Sequence, residues 1–275
     1  NSRIYDRNHN AIDSFPNSNT GKQSIIIPMP GNGSLYYVFS ASSNIAFNSG
    51  VLYTIVNIHL NGGFGGTLPG FRNVSFDSGF QINNQIAAIH HANGCDFWIL
   101  IHEAIGDAFR AYQVTANGIQ SPVVSNSGEY YQGANTTIFG LHKFSTDGDK
   151  LAVSYNFSGA PSQRNIIEVF GFDDNSGVVN PNPLIISQNS LSNSAEIVHG
   201  ISFSCDNSKF YFSKNTGEIF QYDLNAGSDT AIVNSRILIN PANILSQNIS
   251  SLQLGPDHKI YVSNRIKDAL SVINS

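Results

Sequence analysis

The stretch IVHGISFSCDNSKFYFSKNTGEIFQYDL, Ile197 to Leu224, holds three strand-like runs separated by two short polar turns. In Gly200–Ser204, Ile201 and Phe203 alternate with small residues, the period-two pattern of a strand with one buried face. Cys205-Asp206-Asn207-Ser208 follows, and Asp and Asn tolerate the left-handed backbone angles of a tight reversal. Lys209–Ser213 is aromatic at its centre and suits a strand packed on both faces. Lys214–Gly217 turns the chain again into Glu218–Leu224. Connections this short force antiparallel neighbours, because a parallel return needs a crossover of a dozen or more residues. A three-stranded meander is too small to stand alone, so it needs copies of itself beside it.

The copies are present. SFSCDNSKFYFS aligns with QLGPDHKIYVS near the end of the chain, and HKFSTDGDKLAVS repeats the pattern upstream. Two further copies run through IAAIHHANGCDFWILI and, most loosely, SIIIPMPGNGSLYYVF. The central strands fall near Tyr36, Phe97, Leu151, Phe210 and Ile260, spaced by roughly 50–60 residues, in or slightly above the range of propeller blades. Each unit reads as inner strand, hairpin, central strand, hairpin, outer strand and a long polar connection. Fourth strands are expected from Ala231-Ile232-Val233 before Arg236–Ile239, and from Leu184-Ile185-Ile186. The fold class expected is all-β: a β-propeller with WD-repeat-like four-stranded blades, a single domain over 1–275. Arg3–Ala11 reads as the tail of another unit, and both ends of the chain read as cut, so seven blades are expected in a longer chain and an incomplete set here. The alternative is one large β-sandwich or two, against which stands the recurrence of one strand order with its turn at one place.

The composition agrees. Of 275 residues 41% are hydrophobic and 11% aromatic, enough for a core, while only 12% are charged. That is about half the usual charged share, with Asn, Ser, Gly and Thr supplying the polar surface and little material for salt-bridged helices. A net charge of -5 without a Lys/Arg cluster disfavours nucleic acid and anionic membranes as partners. No run has the length of a membrane-spanning helix. Cys95 and Cys205 have neither metal-ligand nor redox spacing and read as free thiols, buried or half-buried.

Several phrases in order resemble one family. IYDRNHNAI before TGKQSIIIPMPGNGSLYYVFS, then IVNIHLNGGFGGT, HHANGCDFWILIHE, HKFSTDGDKLAVS and LQLGPDHKIYVS resemble the N-terminal propeller region of large secreted Bacteroidetes surface proteins. Those proteins carry a type B, gliding-motility-associated C-terminal sorting domain read by the type IX secretion machinery. The resemblance covers nearly the whole chain. It implies an extracellular, cell-surface propeller without catalysis, serving as a structural, adhesion or ligand-binding module for surface proteins or glycans, exported through a sorting domain that lies outside these residues. The alternative is a propeller-fold hydrolase or lyase acting on glycans in a central channel.

Candidate chemistry is sparse. Asp147, Asp149, Asp173 and Asp174 are the residues that could hold calcium, yet a calcium loop wants six or more oxygens at regular spacing, and these positions read as turns. No cofactor is expected. His90 and His91 point to opposite faces of one strand, and His102 follows the Trp98 strand. His90, His142 and His199 lie near the inner strands of their own repeats; recurring at one level of a ring, they would line its channel mouth. Glycosidase chemistry needs two carboxylates about 5–10 Å apart, and nothing pairs Glu168 with Glu218. Gly62–Gly66 lacks the strand-to-helix context of a phosphate loop and reads as a flexible connection. Asp229-Thr230-Ala231 resembles the short Asp-Ser/Thr-apolar signal for O-glycosylation in exported Bacteroidetes proteins. The N-linked patterns at Asn73, Asn135, Asn156 and Asn248 are expected to be bare.

Overall fold

The computed structural model describes residues 3–14, 24–42, 50–77, 80, 82–132, 137–158, 164–190, 197–214, 216–239, 249–264 and 268–274. They form six antiparallel sheets and two short helices. A two-stranded sheet comes first, β1 (Arg3–Tyr5) with β2 (Ala11–Ser14). The next sheet holds β3 (Ser24–Met29), β4 (Asn32–Ser42), β5 (Gly50–Asn57), then α1 (Leu60–Gly63), a single turn that goes left-handed at Asn61 and Gly62, β6 (Gly66–Thr67) and β7 (Val74–Asp77). The third runs β8 (Ile82–His90), β9 (Phe97–Glu103), β10 (Ile105–Thr115), β11 (Gly118–Ile119) and β12 (Val123–Gln132). The fourth repeats this with β13 (Thr137–Phe144), β14 (Lys150–Ser158), β15 (Arg164–Asp173), β16 (Val178–Val179) and β17 (Leu184–Ser190). The fifth has β18 (Val198–Phe203), β19 (Lys209–Lys214), β20 (Ile219–Asp223), helix α2 (Asp229–Asn234) and β21 (Ile237–Ile239). The last has β22 (Ile249–Leu254), β23 (Lys259–Asn264) and β24 (Ser271–Asn274).

Neighbours in each sheet follow chain order, the meander expected of a propeller blade. In three sheets the fourth strand comes in two pieces, a two-residue strand and a longer one, both paired to the third strand. The expected fourth strands at Leu184 and Ile237 are present. The one expected at Ala231-Ile232-Val233 is helical instead: the side chain of Ser228 accepts from the amide of Ala231 and starts α2, while Ile232 buries its side chain inward. An N-cap, the helix preference of Ala231 and the buried contact of Ile232 outweigh the strand preference of the two β-branched residues Ile232 and Val233.

The chain packs as two compact units, Asn1–Gly133 with Asp173–Val178, and Ala134–Phe172 with Val179–Ser275. In the first, Phe39, Ile99, Ile101, Tyr112 and Val114 share a core between the second and third sheets. In the second, β19 is buried on both faces. Phe210 and Phe212 join Ala152, Ile167 and Phe203 on one side, while Tyr211 joins Leu252, Ile260 and Val262 on the other. Inner strands approach closely: a Cβ on Gly200 of β18 would lie 2.7 Å from the Leu252 amide nitrogen of β22, so only glycine fits there. Asn156 on β14 clamps β18, donating to the Val198 carbonyl and accepting from its amide at 3.0 Å each.

Candidate functional site

The first unit carries a concave site between the β1–β2 hairpin and the Gly-rich loop after β5. The hairpin is shaped by Asp6, whose carboxylate accepts from the amides of Asn8 and Asn10 at 2.8 Å and from the Asn10 side chain at 3.2 Å. These donors, the Asn10 amide foremost, hold the Asp6 carboxyl below its usual range. The hairpin is fastened by three contacts. The Arg7 amide donates to the Phe64 carbonyl at 3.3 Å, the Asn73 side chain to the Ser14 carbonyl at 3.2 Å, and Arg72 holds Asp13 in a fork of 2.6 and 2.9 Å. That fork also depresses the Asp13 carboxyl.

Across the cleft, Asn61, Gly62, Gly63 and Gly65 all take positive φ, and Asn61 pins the turn by donating to the Gly65 carbonyl at 2.9 Å. A Cβ on Gly62, Gly63 or Gly65 would meet nothing, so the backbone angle, not space, requires glycine. The tight coil cannot tuck Phe64 inward and leaves its ring 40% exposed. Tyr5 is 53% exposed on the facing hairpin. Arg7 places its guanidinium 5.1 Å from the Phe64 ring centre. Between them opens a cleft of about 430 Å³, with Ile12, Ile58 and His59 among its walls. Two open rings beside a cation and an imidazole can stack on and hydrogen-bond a ligand. Among the described residues no three of His, Cys, Asp and Glu gather as a metal would require.

The residues singled out in the sequence lie elsewhere. His90 pairs with Phe97 at the last rung before its turn, exposed, its ring 4.2 Å from that of Phe97. In the two following hairpins that rung is held by Phe144 with Leu151 and by Phe203 with Phe210. His142 lies two residues further from the turn, buried opposite Val153. His199 lies four residues further, half-buried at a bulge. The hairpin registers therefore set the three histidines at three different heights on their strands. His102 is inside β9 rather than after it, fully buried, with Nδ1 2.5 Å from the Glu103 carbonyl. His91 stacks on Trp98 with ring centres 5.4 Å apart. Trp98 itself is 3% exposed and donates from its indole to the Asp174 carbonyl at 2.6 Å.

The aspartates are turn residues. Asp147 accepts from the Ser145 hydroxyl at 2.5 Å and from the Asp149 amide, and Asp173 from Ser176 and the Asn175 amide. Cys95 is exposed in its turn, not buried, and Cys205 is half-buried; both are free. Thr230 is exposed on the first turn of α2, beside a cleft of about 370 Å³ with Leu184, Ile185 and Val233 in its walls. Asn135 and Asn248 lie outside the described residues.

Sequence reasoning missed the cleft itself. Its signal was an aromatic flanked on both sides by paired glycines, a side chain that such a loop has no means of burying. It also missed a half-buried network in the same unit, where Tyr112 donates to Asp77 at 2.5 Å and Arg110 binds Glu103 at 2.6 Å beneath the Phe80 ring. Burial, then the Asp77 carboxylate, push the Tyr112 phenol up, so it stays a donor.

No family model and no curated protein matches the chain. Solved structures do. The β-propeller domain of Cps50 (Swd1) from Myceliophteria thermophila is similar with a TM-score of 0.50 at 14% identity, over 91% of this chain and 68% of that one. KlHsv2 with loop 6CD replaced by a Gly-Ser linker has a TM-score of 0.47 at 11% identity, over 95% and 68%. The Dos1 propeller has 0.44 at 13%, over 86% and 50%. With the five meander sheets described above, the first likeness establishes the fold as a β-propeller.

Proposed function

We propose that the chain is a non-catalytic ligand-binding propeller of a secreted cell-surface protein, and that its ligands are glycans. The observation that carries this reading is the cleft in which Tyr5 and Phe64 face solvent beside Arg7 and His59. Two large rings left open in one concavity are what a stacking site requires. The propeller fold supports a binding role by analogy only, since propellers host many functions. The phrase-by-phrase resemblance to Bacteroidetes surface proteins supports the extracellular setting, export by the type IX machinery and a seven-bladed intact protein. In that setting Thr230, exposed at the start of α2, is a site of O-glycosylation. A glycan array probed with the purified chain tests the reading: binding to a defined set of saccharides is expected, and a blank array overturns it. For Thr230, mass spectrometry of protein from its native source should find a glycan-bearing peptide; an unmodified peptide at full occupancy removes that assignment.

A further inference from the structure

We infer that the Tyr5–Phe64 cleft takes an acidic saccharide, a sugar bearing a carboxylate, with its ring stacked on the aromatics and its carboxylate on Arg7. This deepens the glycan-binding reading above and rests on it. Three observations point to the ligand's class. The guanidinium of Arg7 is exposed at the cleft, and among the described residues no carboxylate lies within ion-pair distance of it. The Arg7 backbone is fixed by its bond to the Phe64 carbonyl, and the guanidinium is held near the Phe64 ring, so the cation is pre-positioned. The one acidic group in the walls, Asp6, turns its carboxylate to three N–H donors of its own hairpin and makes no ion pair with Arg7.

An exposed planar fork without a partner matches a carboxylate in two-point geometry. His59 adds a ring N–H donor or acceptor for a hydroxyl. The cleft volume of about 430 Å³ falls within the usual range for small ligands, about 300–1,000 Å³. A single cation suits a single carboxylate per sugar and not a run of phosphates. An acidic peptide is the competing ligand, and the strands at the cleft disfavour it: β1 has three residues and β2 four, too short for a bound peptide to add as a strand, and β5 is already paired on both sides.

Isothermal titration with tetragalacturonic acid, its neutral galactose tetramer and a tetraglutamate peptide tests the inference. The wild-type chain is expected to bind the uronate at least tenfold more tightly than the other two. Arg7→Gln should bring the uronate down to the neutral level, and Tyr5→Ala and Phe64→Ala should abolish both, with thermal melting unchanged in all three variants. Preference for the glutamate peptide, or uronate binding that survives Arg7→Gln and Phe64→Ala, overturns the inference. Equal binding of neutral and acidic sugars, lost in Tyr5→Ala, overturns the acidic preference and leaves the glycan site standing.

Discussion

Trp98 is the residue whose role differs most sharply between a scaffold and a sugar platform. It is buried, donates its indole N–H to a carbonyl and stacks with His91, so it is scaffold. Trp98→Ala should lower stability by about 3–5 kcal/mol in a urea titration. His102 makes a second residue-scale case. Full burial pushes its imidazole down to about 4 from the ordinary 6.5, so it stays neutral in the fold. The unfolded chain takes up a proton at His102 below about pH 6.5 while the folded chain resists until about pH 4. Stability from this group is therefore complete above pH 6.5 and falls between 6.5 and 4, by roughly 3 kcal/mol in total. An NMR titration should show the His102 ring unshifted down to pH 5; a midpoint near 6.5 contradicts its burial.

At the scale of the element, the repeated hairpin is the most legible feature of the chain. The amide of Lys150 donates to the Ser145 hydroxyl and that of Lys209 to Ser204, each at 2.9 Å, with Asp147 and Asp206 in matching places. Ser204 and Ser208 together lower the Asp206 carboxyl to about 2. A Ser-x-Asp phrase followed by an apolar alternation spells this turn directly in these two hairpins, and a polar turn before an apolar run marks the central strand in the other three. Contacts between elements were not legible. Asn156 reads as a glycosylation signal, yet its carboxamide is buried against the backbone of Val198, which keeps it from any transferase in the folded protein. Asn156→Leu leaves a buried amide and carbonyl without their partner, and should cost about 2–4 kcal/mol by chemical denaturation. Gly200→Ala, which drives a methyl into the Leu252 amide, should likewise destabilise, by about 1–3 kcal/mol. The helix at Asp229–Asn234 was not expected because an N-cap serine and the β-branched pair Ile232-Val233 give opposite signals, and the packing of Ile232 decides between them.

For the whole molecule, the sheets were readable because each repeat writes its own strands, whereas the cleft is assembled from residues some sixty positions apart, as the Arg72–Asp13 fork also is. No local pattern records that Tyr5 will face Phe64. Nor does any phrase record that Asp6 will turn to the amides of its own hairpin while Arg7 stands over the Phe64 ring. The role proposed is binding rather than cleavage: Asp6, the one carboxylate in the cleft walls, is engaged with amides, whereas the two-carboxylate glycosidase mechanism needs a pair about 5–10 Å apart. Prolonged incubation of the purified chain with the saccharide it binds best, followed by mass spectrometry of the recovered sugar, separates the two roles most directly. Intact saccharide at its starting length is the expected result, and shortened or unsaturated fragments, above those from a protein-free control, would contradict a binding role without catalysis.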